Sequence, residues 1–278
     1  FERAMSELPV QKRGCYLLEN QGWEFGFISA WKSAGHKRNL LGFPHTTIAY
    51  WDLRFFFDSR SYRRKKQGGL PLPDYVGVNG ERAKQMYLDG GYPENELIEV
   101  ESLRFLYLSY FSAHNNAIDD KGLKNKVVLV VGDYLSQNTA KQLKLLSLAM
   151  NNLESLIHFI IKPHPSCPIK MRDVSGLNCE ISTQPIGELL LMSDIVYSSL
   201  ATAAAVDAYC AGKPVITIFD GKNLNVSPLR GVSGVHFVSN AKELAIAINE
   251  VEVDELEQRE DYFYLDVELP RWKEWLIG

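Results

Sequence analysis

The segment from Ile157 to Pro214 constrains the fold of this chain more than any other stretch. It opens with an apolar strand, IHFII, that ends in KPHP, and continues to a second strand, DIVY, that ends in a pair of serines. An alanine-rich helix and a third apolar strand follow. Strand, helix and strand in this order, with strands that are apolar throughout, predict a parallel sheet covered by helices on both faces.

The same alternation extends to both sides of this segment. Lys126–Val131 (KVVLVV) is rich in β-branched residues, as expected for a strand buried on both faces. The first half has shorter strands, predicted at 14–18, 39–43, 74–78 and 96–101. We therefore predict an α/β protein with two Rossmann-like domains that face a cleft.

The predicted domain limits follow from where the periodic pattern stops. The first domain is expected at residues 1–112 and the second at 126–262. Residues 109–125 lack a clear period and are expected to link them. The aromatic tail, residues 263–278, is expected to pack across the junction between the two.

Composition excludes several classes of protein. A hydrophobic content of 46% and a net charge of −4 are typical of a globular protein whose partner is not nucleic acid. The four cysteines show no CxxC spacing, which argues against metal ligation and disulfides and favours a reducing, cytoplasmic compartment. We find no signal peptide and no apolar run near the ~18 residues of a membrane span. The chain begins at Phe1 without an initiator methionine, which is typical of a portion of a longer protein.

Polar residues at predicted strand ends are the candidates for binding in the second half. His164 lies between two prolines that restrict the backbone, so its ring could donate to a phosphate, or could only satisfy a loop carbonyl. Lys162 could add charge there or only flank the strand. Ser198, Ser199 and Thr202 precede a helix whose first amides favour an anion, although serine is also an ordinary helix cap.

Two carboxylates at strand ends are the candidates for catalysis. Asp133 follows a strand and a glycine, and could act as a base, a nucleophile or a helix cap. Glu19 has the equivalent position in the first half and could be a general base or a loop anchor. His45 follows the next strand there and could be structural.

The absence of several motifs narrows the chemistry. The sequence has no GxGxxG after its first strand, no GxxxxGK[ST], no HExxH and no GxSxG. Dinucleotide-dependent oxidation and P-loop chemistry are therefore disfavoured, and no metal-binding residues are predicted.

The KPHP turn followed by SDIVYSSLATAAAVDAYCAGKPVI resembles the donor half of GT-B-fold glycosyltransferases, especially those that use CMP-activated acidic sugars. The segments ENQGWE…GFPHTT and VGVNGERAKQMYLDGGYPENELIEVESLRF are similar to bacterial surface-polysaccharide transferases, including Kdo transferases and sialyltransferase-like enzymes. The resemblance implies a GT-B-like arrangement of the two domains.

The resemblance also implies roles for individual residues. His164 and Pro165 match a His-Pro motif that contacts the nucleotide phosphate, and Ser198 and Ser199 match serines that bind the same phosphate. Asp133 matches the carboxylate suspected as the nucleophile of retaining Kdo transferases.

On the acceptor side, Glu19 matches an acidic residue near the reacting centre, with Asn20 and His45 beside it. Gln184 and Glu188 are the candidates for the ribose-binding position.

The function expected from the sequence is transfer of an acidic sugar, most simply Kdo, from CMP to a bacterial surface glycan or lipid-linked glycan. No cofactor and no metal are expected, because a histidine and a helix terminus can stabilise one phosphate. The expected location is the cytoplasm, including the inner face of the membrane or an assembly complex there. Three alternatives stay open: a CDP-glycerol or ribitol-type phosphotransferase, a UDP-sugar epimerase, and a non-catalytic module of a larger enzyme.

Overall fold

The computed structural model describes residues 1–49, 52–62, 69–114, 126–153, 157–250 and 262–278. The chain divides into two compact units. The first contains residues 1–106 together with 261–278, and the second contains residues 107–260. No helix in the described ranges is long and apolar enough to cross a membrane.

Both units are built from parallel strands that alternate with helices. The strands are β1 Gly14–Leu17, β2 Leu40–Phe43, β3 Tyr75–Val78, β4 Leu97–Glu99, β5 Lys126–Val131, β6 Ile157–Lys162, β7 Cys179–Ile181, β8 Ile195–Ser198, β9 Val215–Ile218 and β10 Val235–Val238. The α-helices are α1 Glu2–Glu7, α2 Gly22–Ser33, α3 Ser59–Tyr62, α4 Glu81–Asp89, α5 Ser109–His114, α6 Ser136–Ala149, α7 Ile186–Met192, α8 Ala203–Cys210, α9 Ala241–Glu250 and α10 Pro270–Ile277. Short 3-10 helices lie at Glu94–Glu96, Leu103–Leu108, Met150–Asn152 and Met171–Val174.

The first unit has a four-stranded parallel sheet in the order β1-β2-β3-β4. Neighbouring strands are also consecutive in the chain. One face packs on a cluster of buried aromatic and aliphatic side chains that includes Phe55, Tyr62 and Tyr87. The sheet thus forms by local strand–helix–strand steps, as the sequence predicts.

The far end of the chain completes the first unit. The carboxylate of Glu101, which is only 1% exposed, accepts hydrogen bonds from the amides of Arg271 and Trp272 at the start of α10, at 3.0 and 3.1 Å. The residue before α10, Leu269, makes no side-chain cap of its own, so Glu101 caps this helix from another part of the chain. Gly80 leaves no room for a side chain, since a Cβ there would lie 2.0 Å from the carbonyl oxygen of Tyr262.

The second unit has a six-stranded parallel sheet in the order β10-β9-β8-β5-β6-β7. Numbered from β5 along the chain, this is the 3-2-1-4-5-6 order of the doubly wound Rossmann fold. The order reverses between β5 and β8, where Val130 lies beside Tyr197. Ligands of open α/β sheets bind at the carboxyl ends of the strands beside such a reversal.

Helices cover both faces of this second sheet. Val128 and Val130 of β5 share one core with α6 and α9, including Leu146 and Ile248. On the other side, α7 packs against α8 and contacts β5. The uninterrupted apolar sequence of β5 follows from this burial on both faces.

The structure changes two details of the expected organisation. Residues 109–114 form α5 and are not an irregular linker, whereas residues 115–125 lie outside the described part of the chain. Residues 262–278 cluster with the first unit through Glu101 and Trp272. Packing of this tail across a domain junction stays a prediction.

Candidate functional site

The reversal point of the second sheet brings Asp133 and Ser199 together. Asp133 lies two residues beyond the end of β5, and Ser199 directly follows β8. The Ser199 hydroxyl donates to Oδ2 of Asp133 at 2.7 Å, across a separation of 66 residues in sequence. Both residues are at most 2% exposed. This hydrogen bond joins the two loops that leave the sheet at its reversal.

Asp133 has a structural role in the loop that leads into α6. Its Oδ1 accepts the amide of Leu135 at 2.9 Å, and its Oδ2 also accepts the side-chain amide of Asn138 at 3.1 Å. A buried carboxylate with three donors is stabilised as an anchor for the start of α6. The N-cap residue of α6 is Leu135, so Asp133 holds the loop that leads into the helix and does not cap it directly. A nucleophilic Asp133 stays a prediction that would require the network to open.

The hydroxyls of Ser198 and Ser199 already have hydrogen-bond partners within the protein. Ser198 is 0% exposed, and its hydroxyl lies 3.0 Å from Oγ1 of Thr217 on β9. Ser199 is held by Asp133. Thr202 caps α8 by accepting the amide of Ala204 at 3.3 Å. Any contribution of this turn to anion binding would therefore come from backbone amides and the α8 dipole more than from the serine side chains.

His164 is oriented by its own turn. Its Nδ1 accepts the backbone amide of Ser166 at 3.2 Å and lies 2.7 Å from the Ser166 hydroxyl. An amide can only donate, so in the neutral ring the proton is on Nε2. The ring stands 6.3 Å from that of Tyr134, edge to face. His164 thus offers Nε2–H as a donor beside the loop that carries Asp133.

The other residues that are predicted to contact the phosphate or the ribose lie around the turn that carries His164. The Lys162 ammonium donates to the carbonyl oxygen of Gln184, and partial burial lowers the pKa of Lys162. Gln184, Pro165 and Glu188 are exposed. Lys162 therefore links the ends of β6 and β7 in this structure, and a direct contact with a ligand stays a prediction for all four residues.

Gln142 is a site residue that the sequence reasoning missed. Its side-chain Nε2 donates to the carbonyl oxygens of Val131 and Tyr197, both at 3.1 Å, so it joins the ends of β5 and β8. The residue is 0% exposed, and its Oε1 has no hydrogen-bond partner among the described residues. A polar residue on the buried stripe of α6, between Thr139 and Leu143, was the available signal.

The predicted acceptor-side residues lie at the carboxyl end of β1 and β2. Nδ1 of His45 is 3.6 Å from Oε1 of Glu19, an approach too long for a strong hydrogen bond. Asn20 has a left-handed backbone, with φ of 53°. Glu24, at the start of α2, accepts the amides of Glu19 and Gln21 at 3.0 Å and so fixes this loop. The structure thus brings Glu19 and His45 together.

Among the side chains that the structure describes, no group of three His, Cys, Asp or Glu residues is arranged to hold a metal ion. The expectation of chemistry without a metal stays a prediction.

Comparison with known proteins gives the fold. No family model matches the sequence, and no curated protein matches it. UDP-GlcNAc 2-epimerase from Neisseria meningitidis, solved with UDP-GlcNAc, is similar over 87% of this chain and 70% of its own, with 15% identity and a TM-score of 0.56. MurG from Acinetobacter baumannii is similar over 92% and 69%, with 13% identity and a TM-score of 0.56. MnaA from S. aureus, solved with UDP, is similar over 87% and 67%, with 14% identity and a TM-score of 0.53.

These similarities and the two parallel sheets confirm a GT-B-like fold of two Rossmann-like units. The chain spans only part of the structures that it matches, from 56% to 70% of their length. At this identity the comparisons define the fold, and the resemblance to CMP-Kdo enzymes stays a prediction.

Proposed function

We propose that this chain binds a nucleotide sugar at the carboxyl edge of the second sheet and belongs to an enzyme that acts on the sugar. One observation carries the proposal: the hydrogen bond from Ser199 to Asp133 across the reversal point, directly before α8. It fixes two loops at the place where open α/β sheets bind their ligands.

The phosphate would lie between two kinds of donor. The start of α8 carries the positive end of the helix dipole, although Thr202 already accepts the amides of Ala204 and Ala205. Nε2–H of His164 is a second donor, because Ser166 occupies the other ring nitrogen. These groups are fixed by the protein before a ligand arrives, which reduces the cost of binding.

We infer that the nucleotide is UDP. The solved proteins with the same fold include two that were crystallised with UDP or UDP-GlcNAc. Two reactions then compete, epimerisation of the sugar and its transfer to an acceptor. The buried, fully bonded Asp133 is more consistent with a reaction that needs no glycosyl–Asp133 adduct.

CMP-Kdo transfer is the second candidate. It is favoured by the small donor set of the site, one imidazole and one helix terminus, which suits the single phosphate of CMP. In this case a retaining reaction would require Asp133 to leave its three donors and attack the sugar.

A binding panel decides between these candidates. We would titrate the protein with UDP, CMP, CDP and UDP-GlcNAc by calorimetry, and follow the sugar by NMR. Tighter binding of UDP with conversion of UDP-GlcNAc indicates the epimerase, and release of UDP only when an acceptor glycan is added indicates a transferase. Tighter binding of CMP, with CMP released from CMP-Kdo, would replace our first proposal by the second.

The variant His164→Ala tests the phosphate contact. Loss of one donor to a charged oxygen should weaken nucleotide binding roughly tenfold to a hundredfold, since such a bond contributes about 1.5–3 kcal/mol. His158→Ala, on the same strand but before its carboxyl end, is the matched control. If none of the nucleotides binds the unmodified protein, the site is not a nucleotide site and a non-catalytic module becomes the better interpretation.

A further inference from the structure

A second polar pocket lies in the first unit, at the carboxyl ends of β2, β3 and β4. It is open to solvent, and its enclosed part has a volume of about 20 Å³, which is room for roughly one water-sized group such as a single oxygen atom of a ligand. Its polar lining comes from three loops, with His45 after β2, Asn79 after β3, and Ser102 and Arg104 after β4. Three strands that end at one edge thus bring four hydrogen-bonding side chains to one place.

The Ser102 hydroxyl is a buried polar group of the pocket that lacks a hydrogen-bond partner among the described residues. The residue is 3% exposed, and its backbone is satisfied because its amide donates to Tyr264 and its carbonyl accepts Phe105. Its hydroxyl has no hydrogen-bond partner within the described residues. A buried hydroxyl without a partner costs about 1–3 kcal/mol, so this group is expected to meet a ligand or a water molecule.

Two neighbouring side chains, His45 and Asn79, make only weak hydrogen bonds or none with the described residues. Nδ1 of His45 is buried and has no hydrogen-bond partner in the described part of the chain. The side-chain amide of Asn79 reaches the carbonyl oxygens of Pro44 and Thr46 only at 3.5 Å. Contacts of that length are weak, so this amide could turn toward a better acceptor.

The charges at the pocket favour an anion. Glu101 lines the pocket, but its carboxylate already accepts Arg271 and the first amides of α10. Glu19 approaches His45 without lining the pocket. Arg104 is exposed and makes no ion pair with any residue that the structure describes, so its guanidinium is the uncompensated charge here.

We propose that this pocket binds the oxyanion of a small molecule, either a carboxylate or a phosphate. Arg104 supplies the charge, Ser102 donates from the buried wall, and His45 and Asn79 donate from the other two loops. Guanidinium and hydroxyl donors around one cavity match the several lone pairs of such a group. This site is a feature of the first unit and does not depend on which nucleotide, if any, the second unit binds.

The test uses inorganic phosphate and acetate as probes, with glucose as an uncharged comparison. Binding is followed by NMR of the histidine ring protons, and His45 is assigned with His45→Gln. We expect saturable shifts of His45 with at least one anion, and the tighter of the two identifies the class of oxyanion.

Two variants and one matched control make the test specific. Arg104→Gln should weaken anion binding about tenfold, because it removes a charged donor. Arg54→Gln is the control, because Arg54 stacks on the next residue at 5.4 Å just as Arg104 does, but is paired with Asp52 at 2.6 Å. Ser102→Ala should weaken binding without lowering the free energy of unfolding, because the lost hydroxyl had no partner in the unbound protein.

Several results would overturn the proposal. They are no saturable shift with either anion, equal affinities of Arg104→Gln and Arg54→Gln, or a response to glucose as strong as to the anions. Nucleotide binding is measured on the same samples, so failure of the nucleotide site and failure of this pocket are seen separately.

Discussion

The two units use the same strand–helix alternation but order their strands differently. In the first, neighbours in the sheet are neighbours in the chain, and in the second the strands extend outward in both directions from β5 and β8. A reversal sends two loops to opposite faces of the sheet and opens a crevice between them. The second unit therefore has polar residues joined by hydrogen bonds across the reversal, whereas the first gathers polar residues from the ends of three consecutive strands without a reversal.

The units also differ in how the chain closes them. The second is one continuous stretch, residues 107–260, whereas the first needs residues 261–278 from the far end of the sequence. All five tryptophans, at 23, 31, 51, 272 and 275, fall in the sequence ranges of the first unit, and the structure describes each of them except Trp51. Tryptophan fluorescence therefore follows the first unit alone, and circular dichroism follows both, which lets each prediction below be assigned to one unit.

The largest expected effect is that of Asp133→Ala in the second unit. It leaves the Ser199 hydroxyl and the Leu135 amide without their acceptor, in a buried place, so we expect a loss of about 3–5 kcal/mol in the free energy of unfolding. Urea denaturation followed by circular dichroism measures this loss. The urea midpoint that is detected by tryptophan fluorescence should not change. Asp173→Ala, an exposed carboxylate in the same unit, should cost much less. Equal costs would refute the anchor role.

Glu101→Ala is the corresponding test of the first unit. The helix α10 loses a cap that supplies two backbone hydrogen bonds, and Arg271 loses an ionic partner, so we expect a loss of about 2–4 kcal/mol. The tryptophan transition should report it, because Trp272 contacts Glu101 directly. Glu268→Ala, in the exposed approach to α10, is the control, and a similar loss there would show that Glu101 does not hold the helix.

Gln142→Met tests whether the reversal point must be held together for binding. Methionine fills a similar volume but cannot join the carbonyls of Val131 and Tyr197, so nucleotide affinity should fall about fivefold to tenfold. Stability should change by less than about 1 kcal/mol, because the unpartnered Oε1 is removed as well. Calorimetry with UDP measures the affinity. Gln137→Met, on an exposed position of α6, should bind UDP like the unmodified protein.

The smallest effect concerns an ion pair in the first unit, Lys84 to Glu99 at 2.9 Å. The Lys84 ammonium lowers the pKa of Glu99 below its ordinary 4.5, and Glu99 raises the pKa of Lys84 above 10.5. A lowered acid pKa stabilises the fold above pH 4.5 and is lost as the pH falls through the folded value. The raised pKa of Lys84 also stabilises the fold. This contribution is fully present below pH 10.5 and is lost as the pH rises through the higher pKa of the folded protein.

Lys84→Met should therefore lower stability between about pH 5 and 10, by less than about 1 kcal/mol, since the pair is partly exposed and screened by salt. Tryptophan-detected unfolding at pH 3.5 and pH 7 measures it. The difference between variant and unmodified protein should be smaller at pH 3.5 than at pH 7, and a constant difference would point to lost packing of the lysine stem.

Much of the fold could be predicted from the sequence because it depends on local patterns. Every predicted strand is present, and the ends of β5 and β3 match to within a residue. His164, Ser198 and Ser199 were placed at strand ends for the same reason. What could not be predicted were the partners of these side chains, such as Thr217 for Ser198, because partners depend on which strands are neighbours.

The sequence by itself determined where the strands and most of the longer helices lie, since burial on both faces or on one imposes a period that each segment carries alone. The short helix α5 fell in a segment that was expected to be irregular. It also determined that polar residues follow β5, β6 and β8. Only the tertiary structure decided that Asp133 is an anchor, that Gln142 joins two strands, and that Glu101 holds the last helix. These contacts join residues 66, 55 and 171 positions apart, and such pairs form only when the order of strands brings their ends together.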